Sequence, residues 1–277
     1  MKPFLLILLL SACQLLSIVA SAQTPAAKYL NFSLITISDG LSQGMVTCML
    51  QDHFGFMWFG TKDGLNRYDG FKFVVYRHDA NDNTTIADNF IKAIYEDNAG
   101  RLWVGTAGRG ADMFDRSTET FFHFEHDEKN NASLSDNRVN KITGDRFGNI
   151  WVSTYNGLNK IAAGMLHNQS SKQVYSSLKI TRYFKDECLF TEVSDGTIWG
   201  SSLHYGSYHI HPLSKDSVQI DTLDMGLYCS YPQEDKGLEK IIRLIVEDTI
   251  NHALYLVAEY SIARVDMKSN EVKIVSM

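Results

Sequence analysis

The sequence is poor in the residues that staple or stiffen small folds: 277 residues hold only four Cys and four Pro. So few cysteines exclude a disulfide-stapled miniprotein, and a 44% hydrophobic content excludes collagen and general disorder. Positive charge is in deficit. With 26 Lys and Arg against 32 Asp and Glu, the net charge is −6, which repels phosphate backbones and anionic lipid and argues against a nucleic-acid partner. Beyond residue 22 no stretch approaches the roughly 18 to 20 apolar residues that span a bilayer, so the remainder makes no membrane contact of its own. Metal-type cysteine spacing is missing as well. Cys48, Cys188 and Cys229 follow the leader, an odd number with no Cys-x-x-Cys, and are read as buried free thiols.

The one long hydrophobic run is at the start. Met1-Lys2-Pro3 gives a short positive beginning, Phe4 to Leu10 is uninterrupted hydrocarbon, and Ala20-Ser21-Ala22 is a small-x-small cleavage site. Residues 1–22 are read as a signal peptide and 23–277 as the exported, periplasmic region. Two alternatives stay open: lipidation at Cys13 within Leu10-Ser11-Ala12-Cys13, and retention of the run as an anchor.

What the rest contains is a repeat. Asp52-His53-Phe54-Gly55-Phe56-Met57-Trp58-Phe59-Gly60-Thr61 recurs from Asp97 to Thr106 and from Asp145 to Thr154, each copy reading Asp-x-x-Gly-x-x-Trp-x-(Gly/Ser)-Thr. A damaged fourth copy runs Ser194-Asp195-Gly196-Thr197-Ile198-Trp199, and a fifth has Asp248 and then Tyr255 in the Trp place. The aromatic positions are 45, 48, 48 and 56 residues apart. A second element, beginning at Leu41, Ile86 and Leu134, precedes its Trp by 17 residues every time.

Each unit divides into four short β-branched or aromatic runs separated by Asp- and Gly-containing turns, as four antiparallel strands would. One such sheet cannot bury both faces, whereas sheets packed radially about an axis can. The fold class is therefore all-β, a β-propeller with five recognisable four-stranded blades at 46–76, 91–124, 139–184, 188–221 and 241–276. Residues 29–34 are read as an orphan outer strand, from which the chain is expected to be the N-terminal part of a larger, seven-bladed propeller. Structural roles fall to Asp52, Gly55, Trp58, Asp97, Gly100, Trp103, Asp145, Gly148, Trp151 and Trp199: the Asp caps its hairpin, the Gly takes positive φ, and the Trp wedges between sheets.

Gln51-Asp52 through Gly70, with Leu41-Ser42-Gln43-Gly44 before it, resembles the two-component regulator propeller repeat. Residues 29–161 fit closely and 188–277 loosely. The resemblance implies the periplasmic sensor region of a Bacteroidetes-type hybrid two-component histidine kinase, a segment that is not itself an enzyme. It further implies an oligosaccharide ligand, partners in the remaining blades and downstream kinase domains, and a homodimer.

Alternatives are a protein-docking propeller without a small ligand and a propeller glycan lyase or hydrolase, since fold does not fix function. No catalytic residue, cofactor or metal is assigned. His204, His209 and His211 lie close in sequence, but no carboxylate or Cys has matching spacing. A glycan would meet the turns between second and third strands, where Lys62, Asp63, Arg109, Tyr155, Asn156, His204 and Tyr205 offer stacking and hydrogen-bonding groups.

Overall fold

The computed structural model describes residues 32–162, 178–202, 206–223, 242–258, 262–269 and 271–276. Residues 1–22, 29–31, His204 and Tyr205, with the expectations attached to them, lie outside the described residues, as does Cys229. Among the described residues there is no α-helix, only a 3₁₀ turn at Ile37–Asp39.

Among the described residues twenty strands form five sheets. The first holds β1 (Val46–Gln51), β2 (Met57–Thr61), β3 (Gly64–Tyr68) and β4 (Phe73–Tyr76). The second holds β5 (Ile91–Glu96), β6 (Leu102–Thr106), β7 (Ala111–Asp115) and β8 (Thr120–Phe124). The third holds β9 (Val139–Gly144), β10 (Ile150–Thr154), β11 (Gly157–Ile161) and β12 (Ile180–Tyr183). The fourth holds β13 (Cys188–Glu192), β14 (Ile198–Ser202), β15 (Gly206–Pro212) and β16 (Val218–Leu223). The fifth holds β17 (Ile242–Asp248), β18 (Ala253–Ala258), β19 (Ile262–Asp266) and β20 (Val272–Ser276). Strand order in every sheet follows the chain, and neighbours are antiparallel. The first strands β1, β5, β9, β13 and β17 pack on one another in succession, which places them innermost. Five four-stranded blades of a propeller are what the repeat led us to expect. Phe32 to Leu34 differs: it carries no strand and lies exposed, so the described part of the expected outer strand is not in one.

The repeat residues account for this architecture. Asp52 Oδ1 accepts the N–H groups of Phe54 and Phe56, both at 3.0 Å, and Oδ2 accepts Trp58 Nε1–H at 2.7 Å. Asp97 and Asp145 repeat this, taking Trp103 and Trp151 Nε1–H at 2.9 Å each. Gly55, Gly100 and Gly148 close these turns at φ +91°, +76° and +78°, a region that side chains disfavour. The carboxylate therefore both caps the hairpin and orients the indole.

Each indole then leaves its own sheet to fill the next interface. Trp58 packs among Ile91, Leu102 and Val104 of the second sheet; Trp103 among Val139, Ile142 and Ile150 of the third. Trp151 packs among Cys188, Phe190 and Ile198 of the fourth; Trp199 among Leu254 and Leu256 of the fifth. All four are buried, each removing on the order of 200 Å² from water. At Gly60 and Gly105, a Cβ would stand 2.7 Å from Ile91 Cγ2 and 2.5 Å from Val139 Cγ1, so the bare backbone there lets the following first strand approach.

The second repeated element is a latch. Ser42 N–H donates to Asn66 Oδ1 at 2.8 Å while its hydroxyl lies 2.8 Å from Thr61 Oγ1. Ser135 does the same with Asn159 and Thr154. In the second sheet Ala87 N–H finds the carboxylate of Asp112, 2.8 Å away, and Asp112 is in turn bonded to His123 Nδ1 at 2.7 Å. The fixed offset between the two motifs thus reflects a hydrogen bond from each entering segment to its own third strand.

Candidate functional site

The fold divides the loops between two faces. Hairpins after the first and third strands emerge on one; turns between second and third strands emerge on the other, together with the connections entering each sheet. The capping aspartates occupy the first face. Burial alone would raise the Asp52 carboxyl, but bonds from Trp58 and Arg116 hold it below its ordinary value. These groups are committed to the hairpins and to Arg116, which spans Asp52, Glu96 and the Gly100 carbonyl.

The second face carries the residues expected to meet a glycan. Lys62 is exposed in the β2–β3 turn with its ammonium 5.3 Å from the Phe90 ring centre. Asp63 pairs with Arg77 at 3.0 Å. Arg109, in the β6–β7 turn, lies 3.6 Å from Glu125. Tyr155 in the β10–β11 turn is 48% exposed, with the Arg138 guanidinium 4.4 Å from its ring centre. Arg138 itself is bidentate to Asp136, at 3.0 and 2.7 Å, and this bond pulls the Asp136 carboxyl below its ordinary value. The residues are distributed one or two per sheet, each with a local partner, and do not form a single cluster.

Asn156 is placed differently. It lines a cavity of about 360 Å³ together with His126, Ser135, Arg182, Phe184 and Lys185. Ser135 and His126 come from the connection entering the third sheet, and Arg182, Phe184 and Lys185 from the end of β12 and beyond. Arg182 is locked in place: Nε donates to the Ser133 carbonyl at 2.8 Å, and Nη2 to Ser133 Oγ at 2.8 Å and the Leu134 and Asn130 carbonyls at 2.9 and 3.0 Å. Phe184 adopts φ +59°, a left-handed conformation that is uncommon for a bulky side chain, with its ring 4.6 Å from that of Tyr208. Arg182, Phe184 and Lys185 carry no repeat signature and were not legible as a site, whereas His126 repeats His78, both donating a backbone N–H to an Asn Oδ1. The register of Asn159 opposite Arg182 is what brings them to Asn156.

Of the three histidines noted in the sequence, His209 and His211 are described, and their rings stack in the fourth sheet. His209 lies 3.9 Å from the Trp199 ring and 3.8 Å from that of His211, and its Nε2 is 2.8 Å from Thr197 Oγ1. Burial, and then the neighbouring His211, push the His209 pKa down to about 4. His211 faces Asp221 at 3.2 Å. Burial raises the thiols of Cys48 to about 11 and Cys188 to about 12, so neither is a thiolate nucleophile at neutral pH.

Comparison with known proteins follows the same repeat. The family model for the two component regulator propeller matches residues 40–63, 85–108 and 133–156. Histidine kinase P4 of Formosa agariphila is 46% identical over 56 residues, which is 20% of this chain and 4% of that protein. The extracellular domains of two hybrid two component systems from B. thetaiotaomicron superpose with TM-scores of 0.64 each, at 22% and 20% identity. The matches cover 87% and 90% of this chain, but only 31% and 33% of those structures. The chain thus spans about a third of the length of these solved relatives. Its three intact copies match the two component regulator propeller model, and its sheets share the propeller fold of those extracellular domains.

Proposed function

We propose that this chain is the extracytoplasmic, ligand-sensing propeller of a two-component regulatory system. It recognises an oligosaccharide on the face formed by the β2–β3, β6–β7 and β10–β11 turns and relays binding to a kinase outside these residues. The observation that carries this reading is the set of three regulator propeller repeats. The half-exposed Tyr155 and the donors and acceptors of Lys62, Arg109 and Asn156 on that face supply the stacking and hydrogen bonding that sugars require. In this role the chain binds and does not turn over its ligand.

The test is calorimetric titration of the protein with a panel of oligosaccharides. Heat for one glycan class supports the sensor. Silence for every class overturns it in favour of a propeller that docks another protein, and chemical conversion of any panel member overturns the non-enzymatic part.

A further inference from the structure

The cavity beside Asn156 is cationic in a chain that is acidic overall. Arg182 spends its hydrogen bonds on carbonyl and hydroxyl oxygens and, at 3.5 Å, on His126 Nδ1, and among the described residues no carboxylate lies within ion-pair distance of it. Lys185 is exposed at the cavity and likewise lacks an ion-pair partner among the described residues. This sets the pair apart from the other arginines of the face, because Arg77, Arg109 and Arg138 are matched by Asp63, Glu125 and Asp136, while Lys62 meets the Phe90 ring. Of the acids that follow Lys185, Glu187 is engaged by Asn140 at 2.9 Å across the interface between third and fourth sheets.

The walls suit a sugar. Asn156 supplies an amide and Phe184 an apolar surface, while the Ser135 hydroxyl at the cavity wall is held by Thr154 and Asn159. The volume, about 360 Å³, lies within the range of small-ligand pockets. The left-handed backbone at Phe184 is a sparsely populated conformation for that side chain, retained where the chain turns from β12 to present Lys185. Tyr155, which precedes Asn156 in the same turn, is half-exposed.

We infer that this cavity binds an acidic sugar residue, with the anionic group against Lys185 and Arg182 and the ring toward Asn156 and Tyr155. The inference rests on the glycan-sensing reading above and specifies the ligand's charge. A uronic carboxylate and a sulfate ester share the required chemistry.

Calorimetric titration of the whole chain with short oligogalacturonates, sulfated carrageenan oligosaccharides and neutral laminari-oligosaccharides tests it. Acidic probes are expected to bind and neutral ones to bind weakly, with the uronate and sulfate arms identifying the acid. Lys185→Met should lose about tenfold in affinity and Lys185→Arg should retain it, because a charge-assisted contact is removed in one and kept in the other. Lys185 is exposed and makes no ion pair among the described residues, so both variants should melt like the parent. Equal binding of neutral and acidic probes, or full acidic-probe affinity in Lys185→Met, overturns the inference while leaving glycan sensing intact. Silence toward all three probes overturns both.

Discussion

His53 and Glu96 stand on successive sheets and are joined twice: the His53 backbone N–H donates to Glu96 Oε2 at 2.8 Å, and His53 Nδ1 lies 2.7 Å from Oε1. The first of these bonds has a counterpart three interfaces on, where Ser194 N–H donates to Glu247 Oε2 at 2.9 Å. At these two interfaces a carboxylate on the end of one first strand grips the hairpin of the sheet before it. The indoles fill the interface; these carboxylates fix its alignment.

Replacing Glu96 with Ala should therefore cost about 2 to 3 kcal/mol of stability, because the Arg116 guanidinium and the His53 amide lose an ionised acceptor together. Urea denaturation would measure this, and Glu96→Gln should recover part of the loss. A midpoint unchanged in Glu96→Ala would mean that the clamp contributes nothing.

The tryptophans are not equivalent. Trp151 Nε1–H donates to Asp145, whereas in the fourth sheet Val193 occupies the capping position and Trp199 Nε1 has no acceptor among the described residues. Trp151→Phe should cost about 1 to 3 kcal/mol more than Trp199→Phe, since only the first strands a buried carboxylate. Parallel denaturation curves of the two variants decide the matter.

This pair also marks how much could be read from the sequence. Asp-x-x-Gly-x-x-Trp is a local device in which one carboxylate caps a turn and holds the indole six residues on, so its spacing survives in the sequence and reports the blades directly. The fourth copy was legible only as damage. Its hairpin keeps the intact register, but Val193 holds the capping position and Asp195, two residues further on, bonds Thr197 instead of the indole. The cavity was less legible still. Arg182 and Lys185 lie on and just beyond an outer strand, reached only after a long insert, and meet Asn156 through sheet register that no motif encodes.

Glu192 gives the interface between third and fourth sheets a pH dependence. Burial, and then the charge of Asp145, push its pKa up to about 7, against a weak bond from Thr143 at 3.5 Å. With the folded pKa above the unfolded one, its contribution is fully present below about pH 4.3 and is lost as pH rises through about 7. Glu192→Gln should flatten that part of the stability profile and melt higher than the parent at pH 7.5. Melting temperatures across pH 4 to 8 would check it, and identical profiles would exclude Glu192 as the source.

Tyr155 tests the ligand face separately from the fold. Half-exposed and stacked only by Arg138, it should tolerate Ala with a stability change within about 0.5 kcal/mol. The same substitution should lower affinity for the bound oligosaccharide about tenfold, the worth of one aromatic stacking contact. Titrations of parent and variant with the responding glycan provide the comparison, and undiminished affinity would remove Tyr155 from the site.

That every indole is buried by the sheet after its own sets a timetable for biogenesis. As the chain emerges from the ribosome, a newly formed sheet presents a wet aromatic surface until the next repeat arrives to cover it. Trp58 must wait for Ile91, Leu102 and Val104, and Trp103 for Val139 and Ile150. Assembly is therefore directional, with each completed interface creating the next unsatisfied one, and a pause between repeats leaves a single, predictable face open to chaperones or to aggregation.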